Sequence, residues 1–397
     1  MRKTKIIFVI GNLDMGGAEN SLLRLCRQLD SNQFDITVLS LFPRTGVLSG
    51  EFPDYVNLLY IDRRKSLSFD KGYSSFLNRV FEYTSDRLWG SHCVKNKILR
   101  RAFSMAASFE DKRYLEYIRK LLTPYHYDVS VGCLEKYPDV VATHCINADK
   151  RYIFYAHGSV QTWHGDDDAF ERCDLLLAKS KGLKDEIVRK KGYDPSKIVV
   201  LHNVYEIDSI KTKAKEKVDY DKTKLNIVTV GRFHKDKGQI TAIRAAKTLK
   251  EKGFDFRWTF VGANDSEYGR ICMCTAEQLG LENEVAFVGM KSNPYPYIRF
   301  ADIYVQPSKC EALPGTIVEA LALEKPIVST NTLGAQVLIN SGENGLLCGF
   351  EPSDIAEAII IVNNPDVRDR IVLGAKESVG IFDNEINKYI DLFSMES

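Results

Sequence analysis

Two glutamates, Glu311 and Glu319, flank a turn that contains a proline and a glycine, and their side chains are the best candidates for chemistry in this sequence. If a helix ran from Glu311, a rise of about 1.5 Å per residue would separate their α-carbons by roughly 12 Å. Retaining glycosidases hold their two carboxyl groups about 5 Å apart. The spacing therefore argues against a hydrolytic pair. It favours two carboxylates that hold different hydroxyl groups of one extended ligand.

The elements around this turn predict that it lies at the carboxyl edge of a parallel sheet. An apolar run at 301–306 predicts a buried strand, and the apolar runs that follow predict a helix through Leu323 and another strand at 325–330. Pro314 falls near the first helical position, where its missing N–H leaves no hydrogen bond unmade. Ligands of open α/β sheets bind outside the carboxyl ends of strands. The amides of Gly315 and Thr316 could face an anion there.

A second turn carries two cations, Arg232 and Lys237, between an apolar strand that ends at Gly231 and a helix that begins near Gly238. An arginine fork and a lysine point charge beside a helix N-terminus suit a diphosphate group. The alternative is an ordinary basic loop. Because this turn and the Glu311 turn belong to the same predicted sheet edge, we favour the diphosphate clamp.

Near the N-terminus, Gly16 and Gly17 follow a buried strand at 5–10 and precede a helix and a second strand at 34–40. This order predicts a βαβ unit in a parallel sheet. Paired glycines at the start of a helix could let a phosphate approach the backbone closely. The spacing differs from the dinucleotide-binding pattern, and a purely structural turn is the common alternative.

The alternation of strands and helices occurs twice, and 397 residues exceed what one core usually holds. We therefore predict an α/β protein of two doubly wound domains that face a central cleft. Residues 1–203 form the first domain, with a helical insertion at about 63–120, and 204–222 form a charged linker. Residues 223–380 form the second domain, and a helix within 381–397 crosses back to the first.

Composition excludes several classes of protein. Nine scattered cysteines fit a reducing cytoplasm better than a disulfide scaffold, whereas a net charge of +1 argues neither for nor against nucleic-acid binding, which we do not expect. The apolar run that follows the basic N-terminus is too short for a signal peptide, and no run has the roughly 18 apolar residues of a membrane span. We therefore expect a soluble cytoplasmic protein, at most peripheral on a membrane.

The predicted insertion at 63–120 carries fourteen Lys or Arg against six Asp or Glu, with aromatic and aliphatic residues interleaved. A basic amphipathic region can contact an anionic membrane surface or an anionic acceptor. The alternative is a solvated helical insertion whose apolar side packs on the sheet.

His157 ends a predicted strand at 151–158, at the edge where ligands bind. Asp166 and Asp168, just beyond, match a D-x-D pattern that holds a divalent ion under a nucleotide diphosphate in some sugar transferases. Acidic residues are favoured in the first turn of any helix. We therefore expect no metal at these aspartates.

Three motifs together, Gly16-Gly17, Gly-Arg-x5-Lys-Gly at 231–238 and Glu-x7-Glu at 311–319, resemble the retaining glycosyltransferases of family 4. The resemblance runs nearly end to end and is strongest from 226 to about 350. It implies the GT-B fold of two Rossmann-like domains and a nucleotide-sugar donor, which we expect to be a UDP-sugar. The members most similar in these motifs build bacterial capsule, exopolysaccharide or lipopolysaccharide.

The resemblance also implies roles for individual residues. Arg232 and Lys237 would neutralise the donor diphosphate, Glu311 would contact the donor sugar, Glu319 would accept bonds from the ribose, and His157 would line the sugar pocket. Further donor contacts are implied at Gly16, Gly17, Asn203, Gly231, Leu313, Gly315 and Thr316. No cofactor and no metal are expected, because the two cations do the electrostatic work of an ion.

We therefore interpret the protein as a retaining hexosyltransferase that moves a sugar from a nucleotide diphosphate to a saccharide acceptor, which we expect to be lipid-linked. Two alternatives stay open: a nucleotide-sugar epimerase or other GT-B enzyme, and a non-catalytic subunit that binds sugar nucleotides. One departure from the family pattern is Pro314, which cannot donate an amide to a phosphate.

Overall fold

The structure is a computed structural model that describes residues 2–14, 16–41, 48–61, 112–133, 137–155, 167–382 and 384–394. Most of the basic insertion lies outside these ranges, so its helices and its membrane contact stay predictions. His157 and Asp166 lie outside them as well. Within the insertion, residues 112–122 are helical.

The first sheet has seven strands in the order β3-β2-β1-β4-β5-β6-β7, and the four pairs from β3 to β5 are parallel. Ile6 to Ile10 are fully buried, as expected for a strand covered on both faces of a parallel sheet. The strands are β1 (Thr4–Ile10), β2 (Phe34–Ser40), β3 (Val56–Tyr60), β4 (His126–Cys133), β5 (Asn147–Tyr155), β6 (Leu175–Ala178) and β7 (Ile198–Val200).

The second sheet has six strands in the order β10-β9-β8-β11-β12-β13, and all five pairs are parallel. The fully buried Trp258 and Phe260 stack at 5.6 Å on one face of this sheet. The strands are β8 (Leu225–Val230), β9 (Phe256–Val261), β10 (Val285–Phe287), β11 (Ile303–Gln306), β12 (Ile327–Thr330) and β13 (Leu346–Cys348). The predicted class, α/β with two doubly wound sheets, is confirmed.

Helices alternate with these strands along the chain. Besides the helical residues 112–122, the α-helices are α1 (Gly17–Gln28), α2 (Tyr137–Val140), α3 (Asp167–Arg172), α4 (Lys181–Lys191), α5 (Ile207–Lys213), α6 (Gln239–Glu251), α7 (Glu267–Gln278), α8 (Tyr295–Phe300), α9 (Gly315–Ala322), α10 (Leu333–Leu338), α11 (Pro352–Asn363), α12 (Pro365–Ser378) and α13 (Glu385–Phe393) in the part of the chain that the structure describes. Among the described residues, no helix combines the length and apolar character that a membrane crossing requires.

The chain divides into two compact units. The first contains the chain up to Tyr155, a later piece that ends at Leu177, and the end of the chain from Ile390; the second contains Ala178–Tyr389. In the first unit, Phe393 at the end of α13 contacts Phe8 edge-on at 5.8 Å. The stretch predicted as a linker, 204–222, contains α5, whose Ile210 is buried.

Candidate functional site

The order of strands in the second sheet reverses between β8 and β11, which are neighbours in space but are separated by two other strands in sequence. Such a reversal opens a crevice at the carboxyl edge of an α/β sheet, because the two connecting chains leave in opposite directions. The turn after β8 carries Arg232 and Lys237, and the turn after β11 carries Glu311. Both motifs singled out in the sequence therefore lie at one switch point.

The structure brings two of the predicted site residues into contact there. Lys237 Nζ lies 2.7 Å from Glu311 Oε1, and the two side chains keep 33% and 11% of their surface exposed. A backbone bond joins the same turns, from the amide of Lys309 to the carbonyl of Asp236 at 2.7 Å. The two turns therefore form one continuous surface that carries a cation and a carboxylate at the sheet edge.

Gly238 makes this close approach possible. Its φ of +70° lies in the left-handed region, and a Cβ at this position would lie 1.8 Å from the carbonyl oxygen of Pro307. No side chain can be accommodated against a backbone atom at that distance. The glycine that ends the basic motif therefore serves to seat the Lys237 turn against the start of the Glu311 turn.

Arg232 lies on the same turn and is exposed. Its carbonyl accepts a bond from Gln239 Nε2 at 3.0 Å, and Gly231 before it still pairs with β9 through Val261 at 2.8 Å. Among the described residues, no carboxylate forms an ion pair with the Arg232 guanidinium. Backbone bonds hold the residue, and its side-chain charge stays available to an anion.

The Glu311 carboxylate is bonded on one side only. Oε1 accepts from Lys237 Nζ, from Ser308 Oγ at 2.7 Å and from Gln306 Nε2 at 3.0 Å. Oε2 accepts no hydrogen bond from the part of the chain that the structure describes. The Glu311 backbone is fixed as well, because its carbonyl accepts the Gly334 amide at 3.0 Å.

Helix α9 begins at Gly315, four residues beyond Glu311, so the spacing of the two glutamates is not that of one continuous helix. Pro314 is the N-cap residue, and its carbonyl accepts the Ile317 amide at 3.0 Å. The first amides of a helix have no partner within it. Gly315 and Thr316 therefore present amides at the start of α9, whereas Leu313 is buried beside them.

Glu319 lies one helical turn further along α9 and is 6% exposed. Its charge acts on Tyr304 in β11. Burial raises the pKa of the Tyr304 hydroxyl far above its ordinary value, and the carboxylates of Glu319 and Glu311 raise it further. Tyr304 therefore keeps its proton, which it can donate to an acceptor oxygen.

The remaining predicted donor residues lie on other elements of the chain. Gly16 is the N-cap residue of α1 in the first unit, and a Cβ at Gly17 would meet nothing within 4 Å. Asn203 is half-buried, three residues beyond the end of β7. The prediction for His157 is not tested, because that residue lies outside the described ranges.

The D-x-D candidate Asp168 is engaged by other side chains. Its Oδ2 lies 2.7 Å from His144 Nε2, and its Oδ1 accepts from Arg172 Nε at 3.2 Å. The bond from His144, followed by that from Arg172, lowers the pKa of Asp168. These contacts give Asp168 a structural role in the first unit.

Another cluster in the first unit contains one histidine and two aspartates, His126, Asp128 and Asp149. The atoms through which they could bind a metal ion all lie within 4.8 Å of one another. Asp128 already accepts from Arg2 at 2.8 Å and from the Lys5 amide at 2.7 Å. These bonds join the N-terminus to the amino end of β4. They account for the position of Asp128, and His126 Nε2 lies 3.1 Å from Asp149 Oδ1.

Comparisons with known proteins agree with this geometry. The family model described as "Glycosyltransferase Family 4" matches residues 15–209, and the model described as "Glycosyl transferases group 1" matches residues 210–378. Together they match residues 15–378, which include every described strand except β1. The chain belongs to the family 4 type of glycosyltransferases.

Two curated relatives show how far this similarity extends. An uncharacterized glycosyltransferase of Methanocaldococcus jannaschii is 28% identical over 41% of this chain and 41% of its own length. The N-acetylgalactosamine-N,N'-diacetylbacillosaminyl-diphospho-undecaprenol 4-alpha-N-acetylgalactosaminyltransferase of Campylobacter jejuni is 30% identical over 45% of this chain and 47% of its own length. The similarity therefore spans less than half of each relative.

Among solved structures, the Anabaena protein HepE in complex with UDP-glucose superposes with a TM-score of 0.67. It is 16% identical, and the match covers 98% of this glycosyltransferase chain and 99% of HepE. At this identity the likeness shows the fold alone. It confirms the predicted GT-B architecture of two Rossmann-like domains.

Three residues of the candidate site were not anticipated from the sequence: Tyr304, Gln306 and Ser308. They lie on β11 and the first residues after it, and all three are buried. One signal was present, because a glutamine at the end of an apolar strand must find hydrogen bonds in the interior. Its partners, however, come from the strand itself, the turn that follows and the start of α9.

Proposed function

We propose that this protein transfers a hexosyl group from a UDP-sugar to a saccharide acceptor with retention of configuration. One observation carries the proposal: at the β8–β11 switch point, Lys237 contacts one oxygen of Glu311. The other Glu311 oxygen and the Arg232 guanidinium have no polar partner among the described residues. A diphosphate fits the two cations, and a sugar hydroxyl fits the open carboxylate oxygen.

The comparisons support this choice of substrates. HepE, which has the same fold, was solved with UDP-glucose, and the Campylobacter jejuni relative carries a polyprenyl-diphosphate acceptor in its name. We assign the donor to the predicted domain at 223–380 and the acceptor to the predicted domain at 1–203. For the acceptor we propose a lipid-linked saccharide used in the synthesis of a cell-surface polysaccharide.

In the proposed transfer, one bond to the sugar C1 breaks and a new one forms. The bond between the sugar C1 and the β-phosphate oxygen breaks, and its electron pair stays on the departing UDP. An acceptor hydroxyl forms the new bond to C1 on the same face, and its proton passes to the departing phosphate. Arg232 and Lys237 are already in place for the charge that develops, which is commonly the largest catalytic contribution.

The same cations make a divalent ion unnecessary in this proposal. A guanidinium and an ammonium supply two positive charges at the diphosphate without coordination chemistry. We also propose that the enzyme works in the cytoplasm, at the inner face of the membrane, where the basic insertion at 63–120 would contact anionic lipid.

A binding screen followed by product analysis tests the function. Thermal unfolding is measured with UDP, GDP and ADP and with UDP-sugars. A ligand at a hundred times its dissociation constant should raise the free energy of unfolding by about 2.7 kcal/mol. UDP-sugars that bind are then incubated with and without a polyprenyl-diphosphate-linked saccharide, in the presence and absence of EDTA.

We expect stabilisation by UDP, a glycosylated lipid that forms only with acceptor, and equal rates with EDTA. An isomerised sugar nucleotide in the acceptor-free reaction would instead identify an epimerase. Stabilisation by sugar nucleotide without turnover of any kind would identify a binding subunit.

A further inference from the structure

The two carboxylate oxygens of Glu311 differ in their hydrogen bonds. All three of its side-chain donors, Lys237, Ser308 and Gln306, converge on Oε1. A carboxylate has about four acceptor positions over two oxygens. Oε1 is therefore fully used, whereas Oε2 has its lone pairs free of any described residue and can accept a hydroxyl of a ligand.

The Gln306 amide has only one orientation that satisfies its neighbours. Its Oε1 accepts from Thr316 Oγ1 at 2.9 Å and from the Tyr304 hydroxyl. Its Nε2 donates to Ser308 Oγ at 2.7 Å and to Glu311. A flipped amide would turn its oxygen toward the Glu311 carboxylate, and two acceptors would then face each other.

Ser308 is fixed by the same logic. Its hydroxyl accepts from Gln306 Nε2, so its single proton is free to point to Glu311 Oε1. The hydroxyls of Tyr304 and Thr316 therefore donate to Gln306 Oε1, and Gln306 Nε2 and Ser308 Oγ donate in turn to Glu311 Oε1. The chain of hydrogen bonds begins at buried side chains and ends at the carboxylate.

The network also has a rigid base. Gln306 is 4% exposed, and its backbone lies opposite Ser329 in the parallel β11–β12 pair. Its carbonyl also accepts Thr330 Oγ1 at 3.2 Å. A carboxylate held from a strand keeps its geometry better than one held by loop contacts alone.

We propose that Gln306 is a positioning residue, which orients the Glu311 carboxylate so that Oε1 is occupied and Oε2 is presented to a hydroxyl of the donor sugar. Gln306 itself touches no substrate in this proposal, and Ser308 completes the link. The inference rests on the proposed function, because it assigns the open oxygen to the sugar of the UDP-sugar.

The test is a double-mutant cycle between Gln306→Met and Glu311→Gln, read out as turnover and as UDP affinity. Methionine keeps the length of the side chain but cannot hold the carboxylate. We expect Gln306→Met to lower kcat by about 10- to 100-fold, as misplacement of a catalytic group by about 1 Å does. The affinity for UDP, which has no sugar at the reacting position, should stay within about twofold of the wild-type value.

The cycle separates positioning from a general loss of structure. If Gln306 acts through Glu311, adding Gln306→Met to Glu311→Gln should lower kcat by less than twofold further. Thr229→Val is the matched control, because Thr229 is a buried hydroxyl on the neighbouring β8 that bonds Val305 and Trp258 instead. It should lower the melting temperature without a selective loss of kcat.

Ser308→Ala is the milder variant should Gln306→Met fail to fold, and it should lower kcat by about 3- to 10-fold with UDP affinity unchanged. Wild-type kcat in either folded variant, or losses that multiply in the double mutant, would overturn the positioning role. Failure of the wild-type protein to bind any UDP-sugar would instead overturn the proposed function, and the assignment of Oε2 with it.

Discussion

Two glutamates of the second unit, Glu311 and Glu385, both contact a lysine, yet they differ in what is left unbonded. Both oxygens of Glu385 are used: Oε1 bonds His202 Nδ1 at 3.2 Å and Lys388 Nζ at 2.5 Å, and Oε2 accepts the His202 amide at 3.0 Å. Its side chain is 1% exposed, against 11% for Glu311. Glu311 keeps one oxygen open.

A structural carboxylate can be distinguished from one that binds a ligand by whether both of its oxygens have partners within the protein. Burial with complete bonding stabilises a fold, because every lone pair has a partner and none needs water. A carboxylate that is held in place through one oxygen, while its other oxygen has no partner among the described residues, is suited to bind a ligand. By this criterion Glu385 fastens the start of α13 to the residues after β7, and Glu311 belongs to the site.

The largest effect is expected where the backbone holds the Glu311 cluster together. Gly238→Ala should destabilise the protein by about 2–5 kcal/mol, the sum of the cost of a left-handed residue and of overpacking against Pro307. The control is Gly253→Ala, because Gly253 has φ +79° but no atom within 4 Å of its virtual Cβ. It should lose only about 1–2 kcal/mol in urea unfolding. Equal losses would mean that the close approach of the two turns contributes nothing.

The next effect falls on turnover. Lys237→Ala and Arg232→Ala should each lower kcat by about 10²–10³, which corresponds to about 2.7–4 kcal/mol of lost transition-state stabilisation. Stability should change by no more than about 1 kcal/mol, because both side chains reach solvent. Lys235→Ala is the matched control: it is an exposed cation on the same turn, and kcat should stay near normal. Near-normal kcat in both site variants would rule out the clamp.

Much of the fold could be predicted, because each buried parallel strand corresponds to an apolar run in the sequence that ends in glycine or a polar residue. The predicted run at 34–40 matches β2 residue for residue, and the run predicted at 301–306 contains β11 and ends with it at Gln306. The three-residue strand β13 was missed, because its apolar run of Leu346, Leu347 and Cys348 is too short to predict a strand. Short strands at a sheet edge depend on their neighbours more than on their own composition.

The site was predictable in part for the same reason. Arg232, Lys237 and Glu311 follow strand ends, and neighbouring parallel strands end at the same edge. The contact of His202 with Glu385 joins residues 183 positions apart, and no local pattern encodes such a pairing. Likewise the amide orientation of Gln306 depends on residues from a strand, a turn and a helix at once.

Glu385→Gln should act on stability and leave catalysis intact. We expect a loss of about 1–3 kcal/mol in urea unfolding, because the amide gives up charge-assisted bonds to His202 and Lys388. Its kcat should stay within about twofold of wild type. Glu357→Gln, an exposed glutamate on α11, should change stability by less than about 0.5 kcal/mol. A loss of kcat without a loss of stability would place Glu385 with Glu311 and remove the distinction between them.

The smallest effect is a pH dependence of the contact that Glu385 makes with His202 and Lys388. Burial opposes ionisation of this carboxyl, but the bonds from the His202 and Lys388 side chains and the His202 amide outweigh it and hold its pKa at about 2, below the ordinary 4.5. A lowered pKa in the folded state adds stability that is complete above about pH 4.5 and is lost as the pH falls toward 2. Protonated Glu385 closely resembles glutamine, so the stability gap between wild type and Glu385→Gln should narrow from pH 7 to pH 2.5. Other carboxylates are common to both proteins and cancel in the difference. A gap that stays constant over this range would show that the ionised form of Glu385 contributes nothing to the contact with His202.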